Sequence, residues 1–199
     1  MRLFPILAAL ALVAAPARAE PPPNAPSAAP SAAPSAAESG FAGALKACET
    51  WVLDPETWID GPAPFEAAVG LGDRLSALDE VDELLLPPPQ LRQANHYWRI
   101  TAGADAAYTI VVSDVLPVCH LTGGGKGKVG PGVEAVLASP AFAEHWERTS
   151  EQTRADVVTT EHRNRAKSNF LLIVSVVQNP GPDLEQVQIL ATAFIPIRR

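Results

Sequence analysis

Phe41, Leu45, Cys48 and Val52 recur three or four residues apart and share one face of a helix that ends before Pro55. Ser39 supplies a side-chain oxygen suited to cap its start. Pro55, Gly61, Pro62 and Pro64 then break the pattern, so residues 54–70 read as a loop with room for one helical turn. Leu71, Leu75, Leu78, Val81 and Leu85 return to helical spacing, with Asp79, Glu80, Asp82 and Glu83 largely on the opposite side. This predicts a second amphipathic helix, stopped by Pro87-Pro88-Pro89.

Beyond the prolines the period changes to two. His96 to Ile100 and Tyr108 to Ser113 are short runs of strand-forming residues separated by a Gly- and Asp-containing turn, which predicts a hairpin. Val115 to Leu121 reads as a third strand, with Pro117 restricting its first part to an edge or a bend. Residues 123–132 contain six glycines and read as a mobile, solvated turn. Val133, Val136 and Leu137 begin a helical region, and Ser139-Pro140 restarts a helix that carries Phe142 and Trp146. Val157 to Arg163, Phe170 to Val177 and Val187 to Ile195 are extended, with a turn at Asn179-Pro180-Gly181-Pro182-Asp183. In the last of these Ile189, Ala191 and Ala193 face one way, and Leu190 and Phe194 the other.

Strands follow strands with no helix between them, so their pairing is expected to be antiparallel. The pattern predicts an α+β fold: a single antiparallel sheet of about five or six strands, with two or three helices packed on one face. Residues 40–199 are enough for one such globular domain.

The first forty residues have another character. Arg2 precedes an uncharged apolar run over residues 3–15, and Ala17-Arg18-Ala19 gives the small-x-small pattern of a cleavage site. Residues 1–19 therefore read as a secretory signal peptide, its apolar run too short for a comfortable bilayer span. Residues 20–39 are a low-complexity linker in which Pro-Ser-Ala-Ala recurs three times, with nothing large enough to build a core. No other apolar stretch has the length of a membrane helix, so no span is expected in the mature chain. The expected address is the periplasm or the extracellular medium.

Removing Arg2 and Arg18 with the leader takes the formal charge from −7 to −9. An acidic exported chain is a poor partner for nucleic acid or anionic lipid. The short basic groups at 163–167 and 198–199 read as solvated strand ends.

The stretch VLPVCHLTGGGKGKVG, residues 115–130, invites three chemical readings. Cys48 and Cys119 are the only cysteines, and an even count in an oxidising compartment favours a disulfide between the first helix and the third strand. A Cys119–His120 catalytic pair is disfavoured, because neighbours in a strand point to opposite faces. A phosphate-binding loop fails too: Thr122 stands where its first glycine belongs and Val129 where its hydroxyl belongs. The histidines show no HExxH or His-x-His spacing, so no metal site is expected, and no cofactor is indicated. No Gly-x-Ser-x-Gly elbow is present.

What remains is a well-patterned fold without a recognisable catalytic set. The reading this favours is a non-enzymatic exported domain that binds a small molecule or another envelope protein. A pocket for it would draw on Trp51, Trp98, His96, His120 and His162. The alternatives are an enzyme of unrecognised type, using a Cys/His pair or Arg99 with Asp105 or Asp114, and a structural or inhibitory interaction protein. The last would expose an apolar patch near Leu190 and Phe194.

Overall fold

The computed structural model describes residues 33–181 and 187–197. The leader expected over 1–19, the linker as far as residue 32, part of the turn after Asn179 and the terminal arginine pair lie outside the described residues.

Helix α1 spans Ala36–Leu53 and starts earlier than Ser39 suggested. Ser35 is the cap: its hydroxyl accepts from the Glu38 N–H at 3.1 Å, and the Glu38 carboxylate accepts from the Ser35 N–H at 3.3 Å. This reciprocal box satisfies two free N–H groups at once, which a lone Ser39 could not do. Ser39 instead turns its hydroxyl back onto the Ser35 carbonyl at 3.0 Å. The buried face of α1 carries Phe41, Ala44, Leu45, Cys48 and Trp51.

Two expectations fail before the first long strand. Part of the expected loop is a helix, α2, over Pro62–Val69, started by proline in its first turn and closed by Gly70 at φ 73°. The helix expected over 71–85 does not form. Leu75–Leu78 is instead a short strand, β1, between 3-10 turns at Gly72–Arg74 and Glu83–Leu85. Its leucines do sit at helical intervals, but the four residues gain a strand partner in Tyr97–Ile100. Pairing with a waiting edge outweighs a local period that lacks a cap.

The remaining elements are β2 (Asn95–Thr101), β3 (Ala106–Ser113), β4 (Val118–Gly125), α3 (Gly130–Leu137), α4 (Pro140–His145), β5 (Trp146–Arg154), β6 (Val157–Asn164), β7 (Leu171–Val177) and β8 (Ile189–Phe194). They form one antiparallel sheet in the order β1-β2-β3-β4-β8-β7-β6-β5. The sheet has eight strands, not five or six, and there are four α-helices among the described residues. Both unexpected strands, β1 and β5, are edges. β5 reads WERTSEQTR and is exposed along most of its length, so no apolar alternation marks it. Its charges blunt an edge that would otherwise invite pairing with another chain.

The strand order is a palindrome. A helix pair and a four-strand meander occur twice, and the meanders join through β4 and β8. Register puts Trp98, Ile100, Tyr108, Ile110, Cys119 and Leu121 on the side facing the helices, together with Ile189, Ala191, Leu172 and Val174. All are buried in one core with Phe41, Phe65, Val133 and Phe142 of the four helices.

The glycine run is a second correction. Gly123–Gly125 complete β4, and they are not a floppy turn. A Cβ on Gly123 would lie 2.5 Å from Tyr108 Cδ1 and 2.8 Å from Ile189 Cγ1, so the absent side chain is where the Tyr108 ring packs. The following loop is tied down by Gln188, which is 3 % exposed. Its amide donates to the carbonyls of Gly125 and Gly127 at 2.8 and 2.9 Å and accepts from the Val129 N–H at 3.0 Å. Tyr108 in turn donates its hydroxyl to the Ala37 carbonyl at 3.0 Å, pinning the start of α1.

Gly123→Ala should therefore destabilise the fold by about 1–3 kcal/mol through overpacking. Gly130→Ala, whose new Cβ would meet only Val176 at 3.7 Å, should be close to neutral. Urea denaturation of the two variants checks this, and equal effects would contradict the packing described for Tyr108.

Candidate functional site

The last turn of α1 and the outer strands of the first meander enclose a cleft of about 710 Å³, within the range of small-molecule sites. Its aromatic wall is built stepwise. Trp51, three residues after Cys48 on the same helical face, is 4 % exposed and donates its indole N–H to the Ser113 carbonyl at 3.0 Å. Trp58 follows a 3-10 turn at Pro55–Thr57 and donates to the Trp51 carbonyl at 2.9 Å. The two indoles stack with centroids 4.6 Å apart and planes 6° from parallel. Phe65 of α2 meets Trp51 edge-on at 5.1 Å and Trp98 at 5.0 Å.

His96 shares its parity with Trp98 and Ile100, so strand alternation turns it toward the helices, 5.3 Å from Trp51. Its Nε2 lies 2.8 Å from Oδ2 of Asp114, with the side chains 49 % and 38 % exposed. The hairpin register explains the meeting. His96 pairs with Val112, and Asp114 follows two residues later on the same side. Asp79, Asn95, Tyr97, Leu78, Ile59 and Pro62 are among the other lining residues, and no lysine or arginine lines the cleft.

Two of the lining residues carry unmet donors. Trp98 Nε1 and Asn95 Nδ2 are buried without an acceptor. The Asn95 amide is oriented by the Gln93 N–H, which donates to its Oδ1 at 3.1 Å, leaving Nδ2 as the free end. A buried, unpaired donor costs about 1–3 kcal/mol.

Of the residues expected to line a pocket, Trp51, His96 and Trp98 meet here, whereas His120 and His162 are elsewhere. His120 points away from the helices, is 2 % exposed, and has Nδ1 3.2 Å from Thr192 Oγ1. His162 lies in the second meander, 5.0 Å from Phe142 and with Nε2 2.9 Å from Thr160 Oγ1. It borders a pocket of about 210 Å³ with Arg148 and Glu151. Burial pushes the pKa of each down to about 4, and the nearby Arg148 charge adds to the effect at His162.

Cys119 is joined to Cys48 with S–S 2.06 Å and Cα atoms 5.3 Å apart, and His120 does lie on the opposite face. Arg99 sits in a pocket of about 240 Å³ with Asp82, Thr109 and Thr122, and among the described residues no ion pair links it to Asp105 or Asp114. Among the described residues no three His, Cys, Asp or Glu side chains gather as metal ligands would. No helix among them is long and apolar enough to cross a membrane. A second groove, of about 480 Å³, separates α1 from α4 and is lined by Leu45, Phe142, Trp146, Glu49 and His145. Burial raises the Glu49 pKa, partly countered by His145 and the Trp146 side chain.

No family model, curated protein or solved structure matches this chain. Its chemistry is to be read from its own residues. Sequence reasoning passed over Asn95, did not select Trp58 among the pocket residues, and named Asp114 only as a partner for Arg99. The signal for Asp114 lay in the hairpin register, which sets it beside His96.

The two buried histidines link stability to pH. Their native pKa values of about 4 lie below the ordinary 6.5, so the unfolded chain binds protons that the native chain refuses. Their contribution is whole above pH 6.5 and is lost as pH falls toward 4, amounting to a few kcal/mol for the pair, roughly. Glu49, with its pKa raised, acts in the opposite sense. Denaturation midpoints at pH 7 and pH 4.5 should therefore differ less in a His120→Gln, His162→Gln variant than in the parent chain. An unchanged difference would contradict neutral burial.

Proposed function

We propose that this chain is an exported, non-enzymatic binding domain, and that the cleft beside the end of α1 is the seat for a small molecule. Export is supported by the leader pattern of the first nineteen residues, and the Cys48–Cys119 bond suits an oxidising compartment. The observation that carries the binding reading is the convergence in one open cleft of a stacked indole pair, the His96–Asp114 contact and the Asp79 carboxylate. Trp58 is half-buried and its N–H is already used by the Trp51 carbonyl, so it has only a ring face to offer. A ring face beside fixed polar groups is the usual composition of a ligand site.

The case against covalent catalysis is chemical. Both sulfurs are joined to each other, and no serine, threonine, cysteine or lysine lines the cleft, which leaves no hydroxyl-, thiol- or amine-based acyl nucleophile of the Ser, Thr, Cys or Lys kind there. A second reading rests on the 2.8 Å His96–Asp114 contact, which orients an imidazole as a general base is oriented. On that reading His96→Gln abolishes turnover and leaves binding intact. On the binding reading no turnover exists to lose.

The test is a thermal-shift and intrinsic-fluorescence screen of the mature chain against a broad metabolite collection of sugars, amines, amino acids, nucleosides and organic acids. At least one class should raise the melting temperature and quench the indoles saturably. Trp58→Ala should weaken that ligand about tenfold or more, as loss of a central aromatic contact does. A screen without ligands, or with ligands indifferent to Trp58→Ala, would contradict the proposal.

A further inference from the structure

The hydrogen-bonding groups left over in the cleft restrict what can fill it. Two are carboxylates, Asp79 and Asp114, which accept; Asp114 Oδ2 already meets His96, and its other oxygen keeps lone pairs for a ligand. Two are N–H groups without acceptors, Asn95 Nδ2 and Trp98 Nε1. The Trp98 side chain is 3 % exposed, so its N–H has been withdrawn from water without a partner in the protein. Beside these four groups stand the Trp58 ring face, paired with Trp51, the His96 ring and Tyr97, whose hydroxyl can donate or accept.

Single-purpose ligands each leave part of this set unmet. An organic amine would pair with the carboxylates and lie over the indole, but it has no lone pair for the two N–H groups. A carboxylate or phosphate would answer the N–H groups and be repelled by Asp79 and Asp114, with no lysine or arginine in the lining to offset the repulsion. A flat hydrocarbon would cover Trp58 and satisfy nothing else. A hydroxyl group both donates and accepts, and a pyranose ring holds several of them around a face of C–H bonds.

We infer that the cleft takes an uncharged saccharide, its C–H face on Trp58 and its hydroxyl groups shared between the carboxylates of Asp79 and Asp114 and the N–H groups of Asn95 and Trp98. This rests on the binding reading above and adds the ligand class. Carboxylates are strong acceptors for hydroxyl donors, which gives an acidic cleft a use for a neutral ligand. Both N–H groups are closed to solvent in this structure, so a sugar hydroxyl reaches them only as the cleft lining shifts. Binding should therefore change the surroundings of an indole N–H that is buried beforehand.

That change is directly readable. The chain has four tryptophans, hence four indole N–H cross-peaks in a ¹⁵N-labelled sample, and Trp98→Phe assigns one of them. The full mature chain is titrated with glucose, galactose, mannose, N-acetylglucosamine, maltose, cellobiose and chitobiose. Tetramethylammonium, acetate and glycine serve as cation, anion and zwitterion probes. The expected result is that at least one saccharide binds saturably and moves the Trp98 cross-peak. Trp98→Phe should then weaken it about tenfold. Asp79→Asn, on the exposed rim, should weaken it several-fold with no cost to folding, and supplies the answer if Trp98→Phe does not fold. If no saccharide binds while a charged probe shifts the Trp58 and His96 signals, the saccharide inference fails and the binding reading stands. If no probe disturbs the cleft, both fail. A saccharide that binds without moving the Trp98 cross-peak also overturns the inference.

Discussion

Helix α1 is fastened to the middle of the sheet by a covalent bond, and the position of the cleft's indole wall follows from that attachment. Cys48 on the buried face of the helix is joined to Cys119 on β4, closing a sequence separation of 71 residues. A loop of that length is worth about 4 kcal/mol in the chain-entropy account of disulfides. One helical turn later Trp51 donates to Ser113 at the end of β3, and near the other end Ala37 accepts from Tyr108. The helix is thus held covalently near its middle and by hydrogen bonds toward both ends, where Arg74 also donates to the Ala36 carbonyl and the Ser39 hydroxyl. Its last turn carries Trp51, and Trp51 carries Trp58, so the indole wall of the cleft inherits its placement from the sulfur bridge.

The same attachment serves the sheet. β4 is the strand through which the first meander joins the second, since its other neighbour is β8. A helix tied to β4 therefore covers the seam between the halves, where Leu121 and Ala191 face each other across the ladder. The close fit at Gly123 belongs to this seam. Tyr108 occupies the space a side chain would need, and Gln188, just before β8, holds the loop after β4 through both ends of its amide. What looks in sequence like spare, flexible glycine is backbone brought close to an aromatic ring.

Much of this was legible because apolar positions repeat. The face of α1, the alternation in β8 and the opposed directions of Cys119 and His120 follow from periods of 3.6 and 2, and the start of α4 from the Ser139-Pro140 cap. The pairing of two cysteines followed from their number and the exported address expected from the leader pattern. The edges were not legible, for different reasons. β5 shows solvent on almost every residue and has no period to detect, whereas β1 has leucines at intervals that imitate a helix. The candidate site was half legible. Parity puts His96 and Trp98 on one face, and it puts His120 on the other. Parity does not say how far along or across an eight-stranded sheet a residue lies, so His162 could be grouped with His96 in sequence although the two belong to different meanders. Unmet donors such as Trp98 Nε1 have no sequence signature, because they depend on what the fold fails to place nearby.

The attachment of α1 is the claim on which the cleft, the seam and the absence of a free thiol nucleophile all depend, and intact mass tests it most directly. The native protein is unfolded in the presence of an alkylating reagent, first without and then with reductant. The account predicts no added mass without reductant and two alkyl groups after reduction, with peptide mapping placing the bridge between Cys48 and Cys119. Two alkyl groups added before reduction would show free thiols and contradict it.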